Sequence, residues 1–336
     1  VDRRFLMRSA CAAGGVLGLR LVTGCGRETT DSPAPAAPVA VQLGEPVHES
    51  SPIVAAEKYF ARKVGELTMG RYQVEVNAGG ALGADSRVTE MVRTGRVAFC
   101  KTLLANLTAY DKRLGVANLP YAFSGREQCL ESLNGELGRR CAAILEEHDL
   151  VVIAYFYAGD RHFYNHLRPV HTPADLKGMR IRAPQNIVSI DMINALGADA
   201  VPLATNDITS ALQQQLIDGA ENSVVFYVTE QHVSFAPHLS WTGHQQAVDV
   251  LLGSGSWLAG LPAADREAIL EAGRLTQVEQ VRLWNAATAD HIARAKKLGA
   301  VPGDADIPAF RKALASVLRT QRGTFGDLAT LLPETD

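Results

Sequence analysis

The chain has 336 residues, enough for two domains of ordinary size, and its 21% charged and 47% hydrophobic residues are the proportions of a folded soluble protein. A net charge of −3 gives no basis for nucleic acid or an acidic membrane as partner, so an anionic ligand would need a local positive site. No apolar run approaches the roughly 18 residues needed to span a bilayer.

The first residues read as a leader. Arg3-Arg4-Phe5-Leu6-Met7 is a twin arginine followed by apolar residues, and Arg8 adds a third charge. A weakly apolar stretch rich in Ala and Gly runs from Ala10 to Val22, interrupted by Arg20. Leu21-Val22-Thr23-Gly24-Cys25 has the form of a lipobox, with Cys25 as the lipidation candidate. Charge, apolar segment, small residue and cysteine follow in the order of an export signal over residues 1–25. The plainer alternative is a frayed leader with a chance cysteine. Val1, read as the product of an alternative start codon, would make the leader complete. Residues 26–40, with Thr29, Thr30, Ser32, Pro33, Pro35 and Pro38 among alanines, cannot build a core and read as a flexible tether.

Folded structure begins with a strand at Val39 to Leu43 and a helix whose start is Ser51-Pro52, serine as cap and proline in the first turn. Ala56, Tyr59, Phe60 and Val64 recur at helical spacing up to Gly70. Tyr72, Val74 and Val76 alternate as a half-buried strand, and Asp85 is placed to cap a helix carrying Val88, Met91 and Val92. Val151 to Phe156 suits a strand buried on both faces. After Gly159, Met179, Ile181 and Ala183 fall on one side of a strand, Arg180 and Arg182 on the other. Ile187, Ile190, Ile193 and Leu196 form a helical stripe ended by Gly197, and Asn206 can cap a helix carrying Ile208, Ala211, Leu212 and Leu216. Pro262 to Leu298 contains almost no breaker except Gly273 and reads as one very long helix. Such alternation predicts parallel or mixed sheets covered by helices. Beyond Cys11 and Cys25, Cys100, Cys129 and Cys141 leave a Cys129–Cys141 disulfide and three buried thiols both open.

Arginine suits a carboxylate, because its planar fork offers two parallel hydrogen bonds and stays charged. Arg182 falls near the end of its predicted strand, where open α/β sheets form ligand crevices. Taken alone, it reads more readily as a solvent-facing arginine on an edge strand, as Arg180 does. The order of motifs decides between the two: Gly159-Asp160-Arg161, Asp175-Leu176-Lys177-Gly178, Arg182-Ala183-Pro184 and Asp218-Gly219-Ala220-Glu221-Asn222. With Leu82-Gly83, Leu119-Pro120-Tyr121, Thr242-Gly243-His244, Trp257 and Leu261-Pro262, they resemble the solute-binding proteins of TRAP transporters, of the dicarboxylate-binding type, over residues 42–330.

The resemblance implies a two-lobed, periplasmic-binding-protein-like α/β fold with hinge strands and a long helix spanning both lobes. The lobes would comprise residues 41–158 plus 248–285 and residues 159–247 plus 286–336. It implies that Arg182 forms the bidentate pair with a ligand carboxylate, that Arg161 gives a second positive contact, and that Asn222 donates its amide to the same group. Asp85 stands where the family often has an acidic residue facing the ligand, beside its local reading as an N-cap. His48, near the first strand end, is a weaker candidate of the same kind. Thr205 and Thr209 replace an aromatic and a tyrosine usual in the family, which predicts a larger or more polar pocket. Gln215 stands where glycine is common.

The implied function is capture of a small organic carboxylate outside the cell, in the periplasm or at the outer face of the membrane, and delivery to TRAP permease subunits, with no catalysis, cofactor or metal. A binding component feeding a sensor kinase, or a secreted enzyme on a similar scaffold, has the same gross features. His162 and His166 have zinc-like spacing, but their neighbours read as strand and no third ligand is evident. Gly79-Gly80-Ala81-Leu82-Gly83 lacks the lysine of a phosphate loop. G-x-S-x-G does not occur, so a hydrolase elbow is unsupported.

Overall fold

A computed structural model describes residues 37–333. The leader, Cys25 and most of the tether lie outside the described residues. The chain opens with β1 (Val39–Gly44), α1 (Pro52–Leu67), β2 (Tyr72–Asn77), α2 (Asp85–Arg93) and β3 (Phe99–Leu103). Two short helices, α3 (Arg126–Asn134) and α4 (Glu136–Glu146), lead into the long β4 (Leu150–Asn165). Then come β5 (Arg180–Ala183), α5 (Ile187–Ala195), β6 (Asp199–Pro202), α6 (Ile208–Gln213), β7 (Gly219–Asn222) and α7 (Val224–Thr229). The chain continues through β8 (His238–Ser254), α8 (Gly255–Ala259), α9 (Ala263–Lys297), β9 (Val301–Asp304) and α10 (Ile307–Phe325). None of the described helices is long and apolar enough to cross a membrane.

All nine strands form one mixed sheet in the order β2-β1-β3-β8-β4-β7-β5-β6, with β9 also on β8. Its spine is the antiparallel pair β4 and β8, of 16 and 17 residues. At one end, Asp249–Gly253 of β8 pairs with β3; at the other, His162–Asn165 of β4 pairs with β7. Both ends of the sheet therefore hang on the same two strands. Between them the ladder slips, with register shifts at Tyr157/Asp160 and Arg161/Phe163. Bulges of this kind bend a strand and re-aim its side chains.

The slipped segment is held from outside by α9. Gln277 accepts from the Tyr155 amide at 3.0 Å, and Gln280 both accepts from Tyr157 N–H and donates to its carbonyl, at 3.1 and 2.8 Å. The buried residues of α9 recur every three or four positions from Asp265 through Ile269, Ala272, Thr276 and Gln280 to Trp284, and resume two turns on at His291 and Ala295. One face of this 35-residue helix thus lies along α1, β4 and α7. Gly273 allows it, since a Cβ there would stand 2.3 Å from the Ile153 carbonyl.

Local expectations hold where capping chemistry is unambiguous. Ser51 caps α1 by accepting from Ile53 N–H, with Pro52 in the first turn. β1 begins at Val39, so the strand takes the last two residues assigned to the tether. Cys100, Cys129 and Cys141 are free and buried, which decides against the Cys129–Cys141 bridge. Three local expectations fail. Ala84, not Asp85, occupies the N-cap of α2, and Asp85 is its first residue with no cap hydrogen bond. Asn206 lies inside a short turn at Thr205–Asp207 and caps nothing, and Leu216 is 59% exposed. α5 buries Val188, Ser189, Met192 and Ile193, whereas Ile187 is 45% exposed. The rest of the expected stripe holds, with Ile190 packed on the core and Ile193 and Leu196 buried; only Ile187 is displaced, its place taken by Val188, which packs toward Gly115.

Candidate ligand-binding site

A cleft of about 570 Å³, the solvent at its mouth included, lies beside the β4/β8 spine. One wall carries Arg161, Arg182, Pro184, Thr205, Asn222 and Phe226; the other carries Asp85, Lys101, Asn106 and Asp249. Trp284 of α9 also lines it. Strand ends and bulges aim these side chains inward, which is where open α/β sheets place ligands.

Gly159 sets up the site. It has φ +88°, a conformation that side chains resist, and a Cβ there would lie 3.0 Å from the Trp284 ring and 3.1 Å from Ser223. The turn it permits brings Asp160 and Arg161 back into register beyond the slip.

Arg161 and Arg182 are each only 3% exposed, but their surroundings differ. Arg161 is clamped by Glu221, with Nε to Oε2 at 2.5 Å and Nη2 to Oε1 at 2.8 Å. Its Nη2 also donates to the Glu221 carbonyl, and Nη1 to Asn222 Oδ1 at 3.3 Å. Burial pulls the affinity of Arg161 for its proton down, but the charge and hydrogen bonds of Glu221 with the other anionic neighbours together outweigh it and leave the guanidinium above its ordinary range. Burial likewise opposes ionisation of Glu221, yet Arg161 and the His244 hydrogen bond bring it down to about 2. Burial keeps His244 neutral; its Nε2 donates to Glu221 at 3.2 Å, which leaves Nδ1 to accept from the Thr242 hydroxyl at 2.8 Å.

Arg182 has no such counter-ion. Its Nε and Nη2 donate to the Leu203 carbonyl at 3.0 and 2.8 Å, and among the described residues no carboxylate oxygen lies within 4.0 Å. Burial, with Arg161 adding to it, lowers it to about 10, still charged at neutral pH. A buried, unpaired charge is costly, and an incoming carboxylate would relieve that cost. Asn222 uses its carbonyl oxygen on Arg161 and on Ser223 N–H, at 3.3 and 2.8 Å, so its amide nitrogen is left to donate into the cleft.

Released from capping, Asp85 faces the cleft from the opposite wall. Its Oδ2 accepts from Thr205 Oγ1 at 3.2 Å and more weakly from Asn106 at 3.5 Å, while buried Oδ1 has no partner. Lys101 is held by Glu45 at 3.0 Å and Asp249 at 3.4 Å. The structure thus gathers Arg161, Arg182, Asn222, Asp85 and Thr205 around one cleft. His48 is not among them: it is exposed, its ring bonds Ser50, and its N–H donates to Glu230. Thr209 points away, to His232 at 3.1 Å. Lys101, Asn106, Asp249, Phe226 and Trp284 escaped the sequence reading. Only the lysine inside an otherwise apolar strand, Phe99–Leu103, signalled anything.

The sequence pattern of the family described as bacterial extracellular solute-binding protein, family 7 (DctP), matches residues 43–323. This chain belongs to that family. It is an extracytoplasmic solute-binding protein of the TRAP type. A solute-binding protein of Chromohalobacter salexigens is 30% identical over 285 residues, 84% of this chain and 82% of its own. The C4-dicarboxylate-binding protein DctB of Bacillus subtilis is 27% identical over 255 residues, 76% of this chain and 71% of its own. Among solved structures, a TRAP periplasmic solute-binding protein from Sulfitobacter sp. NAS-14.1 with bound β-D-galacturonate superposes with a TM-score of 0.85 at 27% identity. The match covers 88% of this chain and 99% of that one. A second, from Roseobacter denitrificans with bound β-D-glucuronate, gives 0.85 at 27%, covering 89% and 100%. The two-lobed binding-protein fold expected from the motifs is therefore the fold of this TRAP solute-binding protein.

Proposed function

We propose that the cleft captures a hydroxylated monocarboxylic acid of sugar-acid size and passes it to the membrane subunits of a TRAP transporter. One observation carries this reading: Arg182 is a buried guanidinium with no carboxylate partner, facing a cleft whose far wall is acidic. The ligand carboxylate pairs with Arg182 and takes the Asn222 amide, while Arg161, already neutralised by Glu221, holds Asn222 in place. Asp85, its hydrogen-bond partner Thr205 and Asn106 add polar groups to the cleft, a lining suited to hydroxyls. A second ligand carboxylate would face Asp85 and Asp249, and like charges in a cleft are strongly unfavourable. The uronates bound by the two solved relatives have the matching chemistry.

In this reading the lobes, residues 41–158 plus 248–285 and residues 159–247 plus 286–336, close on the ligand by bending at the register slip of β4 and β8. Binding and delivery need no catalytic group, and the leader with Cys25 would place the protein outside the cytoplasmic membrane. A thermal-shift and calorimetric screen of D-glucuronate, D-galacturonate, hydroxy acids and C4-dicarboxylates tests the ligand class. Sugar acids should raise the melting point and dicarboxylates should not. The reverse order would overturn the assignment. Co-purification with membrane permease subunits only in the presence of the acid tests the delivery step.

A further inference from the structure

Behind the cleft wall three carboxyl groups surround a single ammonium. Lys101 Nζ lies 3.0 Å from Glu45 and 3.4 Å from Asp249. Glu57 projects from α1 into the same space and is fully buried. Both Glu57 oxygens, and Glu45 Oε2, lack any partner if every carboxyl is ionised. Each of Glu45 and Glu57 acts on the other's ionisation, by charge and by the hydrogen bond that a proton between them would make, so the orphaned oxygens are neighbours in this space. Two carboxyl groups make such a bond only with a proton between them, and two buried like charges at that range cannot both persist.

We propose that Glu45 and Glu57 form a proton-binding site that holds one shared proton at neutral pH, and that losing it turns the cleft wall against an anionic ligand. The transmission is direct, because Lys101 and Asp249 belong both to this cluster and to the cleft lining. With the proton in place, the ammonium balances two carboxylates to a net charge of −1. Without it, the net charge is −2, beside the space the ligand must enter. The charges acting most strongly on Glu57 are Glu45 from the β1–α1 turn, Lys101 from β3 and Asp249 from β8. Asp85 of α2 acts on Lys101, and Glu230, after α7, feels Glu45. Burial first, then the neighbouring carboxylate, raises Glu57 well above the ordinary range, and burial raises Glu45 as well. The effect on anion binding rests on the proposed function; the shared proton does not.

Infrared spectroscopy on the whole protein at neutral pH tests the site. A buried, protonated carboxyl band is expected in the wild type and should vanish in Glu57→Gln, whose amide keeps the bond to Glu45. Should Glu57→Gln fold poorly, Glu45→Gln removes the same pair and should abolish the same band. A wild type without that band overturns the proposal. Binding is read with D-glucuronate through Trp284 fluorescence. Affinity should fall about fivefold or more from neutral to alkaline pH in the wild type and stay flat in Glu57→Gln. Equal falls in both proteins would overturn the coupling. If D-glucuronate binds neither at any pH, the ligand assignment fails, while the infrared band still decides the proton.

Discussion

Glu221 grips Arg161 through both carboxylate oxygens, at 2.5 and 2.8 Å, while neighbouring Arg182 finds only the carbonyl of Leu203. Two buried arginines on one cleft wall thus divide the work. Arg161 is neutralised by its partner, and in the proposed function Arg182 is the charge left open for a ligand.

Arg182→Ala should reduce ligand affinity by roughly 2–5 kcal/mol, the range for truncating one partner of a buried charge pair. The ligand-free protein should lose no stability and could gain some, because an unpaired buried charge is removed. Calorimetry together with thermal melting checks both. Near-unchanged affinity for the best acid would remove Arg182 from its assigned role.

Glu221→Gln should instead destabilise the fold itself, by roughly 3–5 kcal/mol, since it leaves Arg161 buried without its counter-charge. The acid limb of stability follows from the same pair. Glu221 is brought from 4.5 down to about 2 in the folded state, so its contribution is complete above about 4.5 and is lost as pH falls toward 2. The melting point should therefore drop over that window, and more shallowly in the variant. The Glu45–Glu57 pair has the opposite sign: its raised affinity stabilises below 4.5, and that stability fades as pH climbs above it.

Asp85→Asn should lower affinity for a polyhydroxylated acid while raising relative affinity for a C4-dicarboxylate, because the repelling charge goes and the shape stays. Calorimetric ratios for D-glucuronate and succinate decide it. His48→Ala is the matched control: an exposed ring bonded to Ser50 should leave both affinities unchanged.

Gly159→Ala should lose about 1–3 kcal/mol of stability and weaken binding as well, because φ +88° and the Trp284 ring both oppose a Cβ. Denaturant melts and the fluorescence of bound and free protein would show it. A neutral result would mean that the strand slip does not depend on this residue.

Gln215→Gly should raise stability by up to about 1 kcal/mol. Gln215 has φ +54°, in the left-handed region, at the position where the motif comparison expects glycine. A thermal melt is sufficient, and binding should be untouched.

The sequence by itself determined most local elements and, through its motifs, singled out Arg182. Ser51-Pro52 caps α1, the breaker-free run became α9, and the alternation around Arg180 and Arg182 became β5, because capping, periodicity and pleat act within a few residues. Motif order identified the family, and the resemblance pointed to Arg182. Only the tertiary structure decided which arginine is paired, since Glu221 lies 60 residues from Arg161 and reaches it through the β4–β7 ladder. Only it buried Val188 in place of Ile187, freed Asp85 from capping, left His48 outside the cleft and brought Lys101, Asp249 and Trp284 to its walls. Those outcomes depend on which faces two layers present to one another, and side-chain charge alone carries no record of who stands opposite.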